Sequence, residues 1–233
     1  MIKSSQLLSH PVSADRVINP SPGFYKLIKV VLFRLYRVFF DLKVYGVDNV
    51  PEDSRGVIFA PNHASFLDPP ILGISLKKPV HLLAKEYVFK VRGLGRPLYW
   101  LVVLSIKSES DDFRSMRRIM RTLKEGGRLV IFPEGTRTTD GQFREVEGGA
   151  GFFAVKSRAH VVPVYISGTF DAFPKGAKWF RCRPVRVYYG KPFIPVEDAE
   201  LMAAKDPYLA VSQRIMAEIK KVKDSAIFLS GKK

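Results

Sequence analysis

Residues 128–137 read Arg-Leu-Val-Ile-Phe-Pro-Glu-Gly-Thr-Arg, an apolar run that stops at a proline and turns through a glycine. A short run of that character, bounded by a turn, suits a buried strand better than a helix. The same shape occurs at 57–70, where Val-Ile-Phe-Ala gives way to Pro-Asn-His-Ala-Ser-Phe-Leu-Asp-Pro-Pro. Outward from these two, strand candidates lie at 43–46, 80–84, 102–106, 161–166 and 185–189. Helical patterns separate them. The clearest is 111–125, where Phe113, Met116, Ile119, Met120 and Leu123 share a face, with Asp112 at the start and Gly126-Gly127 at the end. Another starts at Asp206-Pro207 and continues through Val211, Ile215, Ile219 and Val222. This alternation predicts an α/β fold, a single domain with a central mixed sheet flanked by helices. Open α/β sheets place their sites beyond the carboxyl ends of strands, which directs attention to 61–70 and 132–137.

The chain has 233 residues, and 38 Lys and Arg against 22 Asp and Glu give a formal charge of +16. With 46% apolar and 26% charged residues the composition is globular, which excludes a disordered chain. A single cysteine, Cys182, excludes an intrachain disulfide and a multi-cysteine zinc site. The four histidines, at 10, 63, 81 and 160, form no spaced ligand set, so no metal is expected. The positive charge is concentrated. Residues 77–107 hold seven basic side chains and one acidic one, and 148–196 hold eight and one. Such a surface attracts nucleic acid, anionic lipid or phosphorylated small molecules. No helix-turn-helix, zinc-finger or RNA-motif signature is present, so nucleic acid is not an expected partner. Lys85, Lys90, Arg92 and Arg96 alternate with Phe89, Leu94, Leu98, Tyr99 and Trp100, an interleaving suited to a membrane-facing surface.

Residues 1–22 read as an irregular leader, polar and punctuated by Pro11, Pro20 and Pro22. Residues 24–42, Phe-Tyr-Lys-Leu-Ile-Lys-Val-Val-Leu-Phe-Arg-Leu-Tyr-Arg-Val-Phe-Phe-Asp-Leu, approach transmembrane length but carry four cations. Each charge costs at least ~2.5 kcal/mol near a bilayer centre, so a span is not expected. At 100° per residue Lys26, Lys29, Arg34 and Arg37 fall in one arc of about 140° on an otherwise apolar helix. Residues 23–43 are therefore expected to form an amphipathic helix lying in a membrane interface. Phe24, Phe33 and Phe40 would sit on the lipid side, with Arg34 and Arg37 at headgroups. The alternative is a surface helix packed on the core.

Within 61–70, the Pro69-Pro70 pair disfavours continuous helix, so His63 and Asp68 are expected to face each other across a turn. An Asp on one imidazole nitrogen leaves the other free to take a proton. No nucleophile accompanies them: Cys182 lies outside any motif, and nothing singles out Ser65. The proton would come from a hydroxyl on the substrate. The 132–137 turn presents a carboxylate, open backbone N–H groups and a guanidinium whose fork suits a phosphate. Taken singly, the first segment reads equally as a structural pair and the second as a plain turn.

Taken together, Asn62-His63-x4-Asp68 and Phe132-Pro133-Glu134-Gly135-Thr136-Arg137 resemble the first and third motifs of the glycerolipid acyltransferase family. Val161-Val162-Pro163-Val164 is similar to its fourth, and Gly46 to Pro51 to its lead-in, so the likeness extends over roughly 25–195. The resemblance implies an acyltransferase domain over 44–233. It implies His63 as general base, Asp68 as its orienter, and Asn62, Glu134, Gly135, Thr136 and Arg137 around the acceptor. The implied reaction moves a fatty acyl chain from acyl-CoA or acyl carrier protein to a lysophospholipid. The implied acceptor is 1-acylglycerol-3-phosphate, giving phosphatidic acid, at the cytoplasmic face of a membrane and with no cofactor. A thioester has a good leaving group, so a positioned base suffices. The second motif departs from the family: Ser108 stands where an arginine serves the acceptor phosphate, and Lys107 is the neighbouring candidate to replace it. Glu147 likewise precedes Gly148-Gly149 where the family often has lysine. Another lysolipid acceptor, or a non-catalytic lipid-binding protein on the same scaffold, is the alternative.

Overall fold

A computed structural model of the chain describes residues 22–85, 103–106 and 112–230. Helix α1 (Pro22–Phe40) leads into strands β1 (Lys43–Tyr45) and β2 (Val57–Pro61), helix α2 (Asp68–Ser75), then β3 (His81–Lys85) and β4 (Val103–Ile106). There follow α3 (Asp112–Lys124), β5 (Arg128–Val130), α4 (Gly149–Ser157), β6 (His160–Ser167), α5 (Thr169–Ala172) and β7 (Arg186–Tyr189). The short α6 (Ala199–Ala203) and the long α7 (Pro207–Ser230) are the last described elements. The seven strands form one mixed sheet in the order β1-β7-β6-β2-β5-β3-β4. Within it β6 and β7 pair antiparallel, while every other neighbouring pair is parallel.

Both faces of the sheet are covered, which is why β2 reads as an unbroken apolar run. Val57 and Phe59 point into a core shared with α1 and α2, including Leu42, Ile71, Leu72 and Leu76. Ile58 and Ala60 point the other way, toward Ile119 and Leu123 of α3, Ala150 and Ala154 of α4, and Val211, Ile215 and Ile219 of α7. After β2 the chain thus turns to one face, and after β5 to the other. The two neighbouring strands are in register at Val57 opposite Arg128 and Phe59 opposite Val130; with their chains leaving to opposite faces, the crevice of an open α/β sheet falls beyond their carboxyl ends.

Several local expectations are corrected. Pro69 and Pro70 do not prevent a helix; they begin α2, where proline's missing N–H costs nothing. The N-terminal helix stops at Phe40, three residues short of the expected 43, because Asp41 adopts a left-handed backbone (φ 41°) and Lys43 has already joined the sheet. Phe40 is only 5% exposed and so not available to lipid, and Phe33 is half-buried against the same core. Lys29 also leaves the expected cationic stripe: its ammonium donates to the carbonyls of Leu76 and Lys77, just past the end of α2. The outward face of α1 carries Leu27, Val30, Val31, Leu35, Val38 and Phe39, with Lys26, Arg34 and Arg37 beside them. The Phe24 side chain and the whole of 1–21 lie outside the described residues.

Candidate active site

The loop after β2 curls back on itself around one carboxylate. Asp68, fully buried at the first turn of α2, uses Oδ2 to accept from the backbone N–H of Ala64 and of Ser65, each at 2.7 Å. The same oxygen lies 3.0 Å from His63 Nδ1. An oxygen already receiving two N–H donors acts as an acceptor, so Nδ1 carries the hydrogen and Nε2 is left with its lone pair. Among the described residues Nε2 makes no hydrogen bond. The imidazole lies flat on Phe132, ring centroids 3.8 Å apart, so the last apolar residue of the β5 run sets its tilt. Helix α1 reaches this point from behind: burial, and secondarily the charge of Asp68, push the Tyr36 hydroxyl well above its usual range.

The 132–137 turn is joined to the His63 loop by backbone and side chain alike. Glu134 is buried, and its Oε1 accepts from His63 N–H while Oε2 accepts from Arg144 N–H, both at 2.8 Å. Burial pushes its carboxyl upward, and the two N–H donors pull the other way. Thr138 N–H closes the join on the His63 carbonyl at 2.9 Å. Gly135 takes a left-handed backbone (φ 65°), the reason glycine suits the tip of this turn. Gly135 and Thr136 are exposed there. The Arg137 guanidinium lies over Phe66, 3.4 Å from the ring centroid, which holds it on the same side as the His63 loop.

The expected site residues therefore separate into two groups. His63 and Arg137 stand on the joined loops, with Asp68 buried behind the imidazole and Gly135 and Thr136 at the exposed tip of the turn. Asn62 and Glu134 are frame, not lining. The Asn62 amide donates to the Ile166 carbonyl at 3.0 Å and accepts from its N–H at 2.7 Å, continuing the β2–β6 ladder one residue past the end of the strand. Lys107 lies outside the described residues. Phe66, Phe132 and Ser65 have roles that the sequence reading did not assign. Ser65 donates its hydroxyl to the Phe173 carbonyl at 2.6 Å and accepts from Leu67 N–H, so it is committed to the loop. All three stand inside 61–70 or 132–137, and that position is the signal by which the sequence marks them. Cys182 is exposed on the loop between α5 and β7.

A family model described as Acyltransferase matches residues 41–167. The chain is 30% identical over 142 residues to the chloroplastic 1-acyl-sn-glycerol-3-phosphate acyltransferase LPAT1 of Arabidopsis thaliana, covering 60% of this chain and 40% of that one. It is 27% identical over 184 residues to the 1-acyl-sn-glycerol-3-phosphate acyltransferase of Bacillus subtilis, covering 78% and 88%. The match spans about two fifths of the length of the chloroplastic relatives. The crystal structure of the 1-acyl-sn-glycerophosphate (LPA) acyltransferase PlsC from Thermotoga maritima superposes with a TM-score of 0.69 at 26% identity, over 87% of this chain and 79% of that one. Since the family model takes in both polar turns and more than half of the residues, the chain belongs to the acyltransferase family.

Proposed function

We propose that this protein transfers a fatty acyl chain from an acyl thioester, on coenzyme A or acyl carrier protein, to the free hydroxyl of a lysophospholipid. The acceptor named for its relatives, 1-acylglycerol-3-phosphate, is the first candidate, and its product would be phosphatidic acid. The observation that carries this reading is the His63 Nδ1–Asp68 Oδ2 contact of 3.0 Å, which leaves Nε2 as a base at the crevice mouth. The acceptor hydroxyl gives its proton to Nε2 as its oxygen bonds the thioester carbonyl carbon. The carbon–sulfur bond then breaks, and the leaving thiolate takes the proton back from the imidazolium. Arg137, steadied on Phe66, would grip the acceptor phosphate with its fork while Gly135 and Thr136 border it. Asn62 and Glu134 hold the two loops in register, the positioning on which such a reaction depends.

The lipid substrate implies a membrane surface. Among the described residues no helix is long and apolar enough to cross one. Peripheral attachment through the outer face of α1, at the cytoplasmic side where a soluble thioester meets a lipid acceptor, fits this reading. The test is a panel of lysolipid acceptors offered one labelled acyl thioester, with product headgroups identified by mass. Phosphatidic acid is expected to dominate, and His63→Ala, still folded by circular dichroism, is expected to lose about two to four orders of magnitude in rate. Equal turnover by the pure variant would overturn the mechanism. A different dominant headgroup would reassign the acceptor, and no turnover with any acceptor would favour the non-catalytic reading.

A further inference from the structure

The connection from α5 to β7 exposes two aromatic side chains to solvent. Trp179 is 83% and Phe180 49% exposed, and Lys175, Lys178, Arg181 and Arg183 beside them are exposed as well. The loop is not loosely attached. Arg181 N–H bonds the Ala172 carbonyl at 2.7 Å, and Val185 N–H bonds the Phe40 carbonyl, the last of α1, at 2.8 Å. Phe180 meets Phe39 and Phe40 edge-on, at centroid distances of 6.0 and 5.6 Å. The exposed aromatic tip thus adjoins Phe39 on the outward face of α1, the face that also carries Leu35 and Val38. At its other end the loop touches the site: the Phe173 carbonyl accepts from Ser65 Oγ, and the Phe173 ring packs on Phe66.

We propose that the Trp179–Phe180 tip is a second bilayer-inserting element, which joins the outer face of α1 in one surface for anionic lipid and holds the His63 crevice at that surface. This rests on the membrane reading given above and adds the loop, the headgroup charge and the orientation. An indole and a phenyl ring ringed by four cations match an interface in which aromatics enter the acyl boundary and cations stay at headgroups. The Ser65 and Phe66 contacts tie the depth of the tip to the position of the base and of Arg137.

The chain's one cysteine, Cys182, lies in this loop and is exposed, so it takes a polarity-sensitive fluorophore without any substitution. On vesicles of three parts phosphatidylcholine to one part phosphatidylglycerol, the label is expected to shift to the blue, and much less so on phosphatidylcholine alone. Trp179→Ser is expected to weaken partition to the anionic vesicles about tenfold. It should slow turnover of a vesicle-embedded lysolipid while leaving the rate on a short-chain soluble one unchanged. Sedimentation with vesicles but an unmoved label, or an unchanged partition of Trp179→Ser, would overturn the proposal and leave α1 as the anchor. Self-association that Trp179→Ser abolishes, with vesicle binding intact, would overturn it in favour of a second copy. Because binding is read without turnover, a chain that inserts its tip but transfers no acyl group would sink only the enzymatic reading.

Discussion

One carboxylate oxygen, Asp68 Oδ2, accepts from two backbone N–H groups and from His63, so orienting the imidazole and shaping the loop are one structural act. Arg137 is different, because the role proposed for it depends on the shape of its head. Lysine at 137 keeps the charge but loses both the planar fork and the stacking on Phe66. Arg137→Lys is therefore expected to raise KM for a phosphate-bearing acceptor about tenfold, with kcat far less affected. Initial-rate kinetics at saturating thioester will measure this, and an unaltered KM removes Arg137 from the acceptor site. His63, Asp68 and Arg137 stand out in the sequence because their types and spacing are unusual. Glu134 and Asn62 were read as substrate contacts for the same reason. Their polar atoms are taken by backbone groups 71 and 104 residues away, which no local pattern reveals.

Helix α1 shows how an element can be recognised correctly and still be rotated wrongly. The stretch is helical over Pro22–Phe40, but a helix apolar over so wide an arc has several ways to meet a core. Packing against α2 selected the face bearing Tyr25, Phe33, Tyr36 and Phe40, and left Leu35, Val38 and Phe39 outside. Two substitutions in one helix separate the roles. Val38, 79% exposed, is expected to tolerate aspartate in the fold while vesicle partition falls. Phe40→Asp is expected to cost at least about 3 kcal/mol of stability. Thermal melts and vesicle sedimentation of both variants make the comparison, and equal effects would return Phe40 to the lipid side. Elsewhere, helices α4 and α7 approach so closely at Gly151 that an added Cβ would meet the Tyr208 carbonyl oxygen at 1.9 Å. Gly151→Ala is expected to destabilise the fold by about 1–3 kcal/mol, read as a lowered melting temperature.

Across the molecule, the sheet carries the two polar loops after β2 and β5 at one end. Burial on β3 holds the His81 imidazole below its ordinary pKa of 6.5, and its Nδ1 has no hydrogen-bond partner. The unfolded chain therefore binds a proton at His81 that the folded chain resists. Stability is expected to be whole above about pH 7 and to decline as the pH falls through 6.5 toward the lower folded value. His81→Leu should flatten that decline between about pH 7.5 and 5.5 in thermal melts. An unchanged slope would place the acid sensitivity elsewhere. The +16 charge, which at first pointed to any polyanion, acquires a direction once the exposed cations at 175–183 stand beside apolar α1.

The alternation of strands and helices, and the two polar turns that follow β2 and β5, could be read directly from residue order. Apolar periodicity and proline or glycine stops act over only a few neighbours. Proline was the exception: the pair at 69–70 looked like a barrier and proved to be a beginning, because its effect depends on which end of a helix it occupies. Which side chains line the crevice and which brace it, and which face of α1 meets the core, depended on partners brought together from distant parts of the chain. Lys29 meets a carbonyl 47 residues on, and Phe180 meets α1 across most of the sequence. Such pairings are chosen by packing the whole sheet at once, so they exist only in the folded molecule.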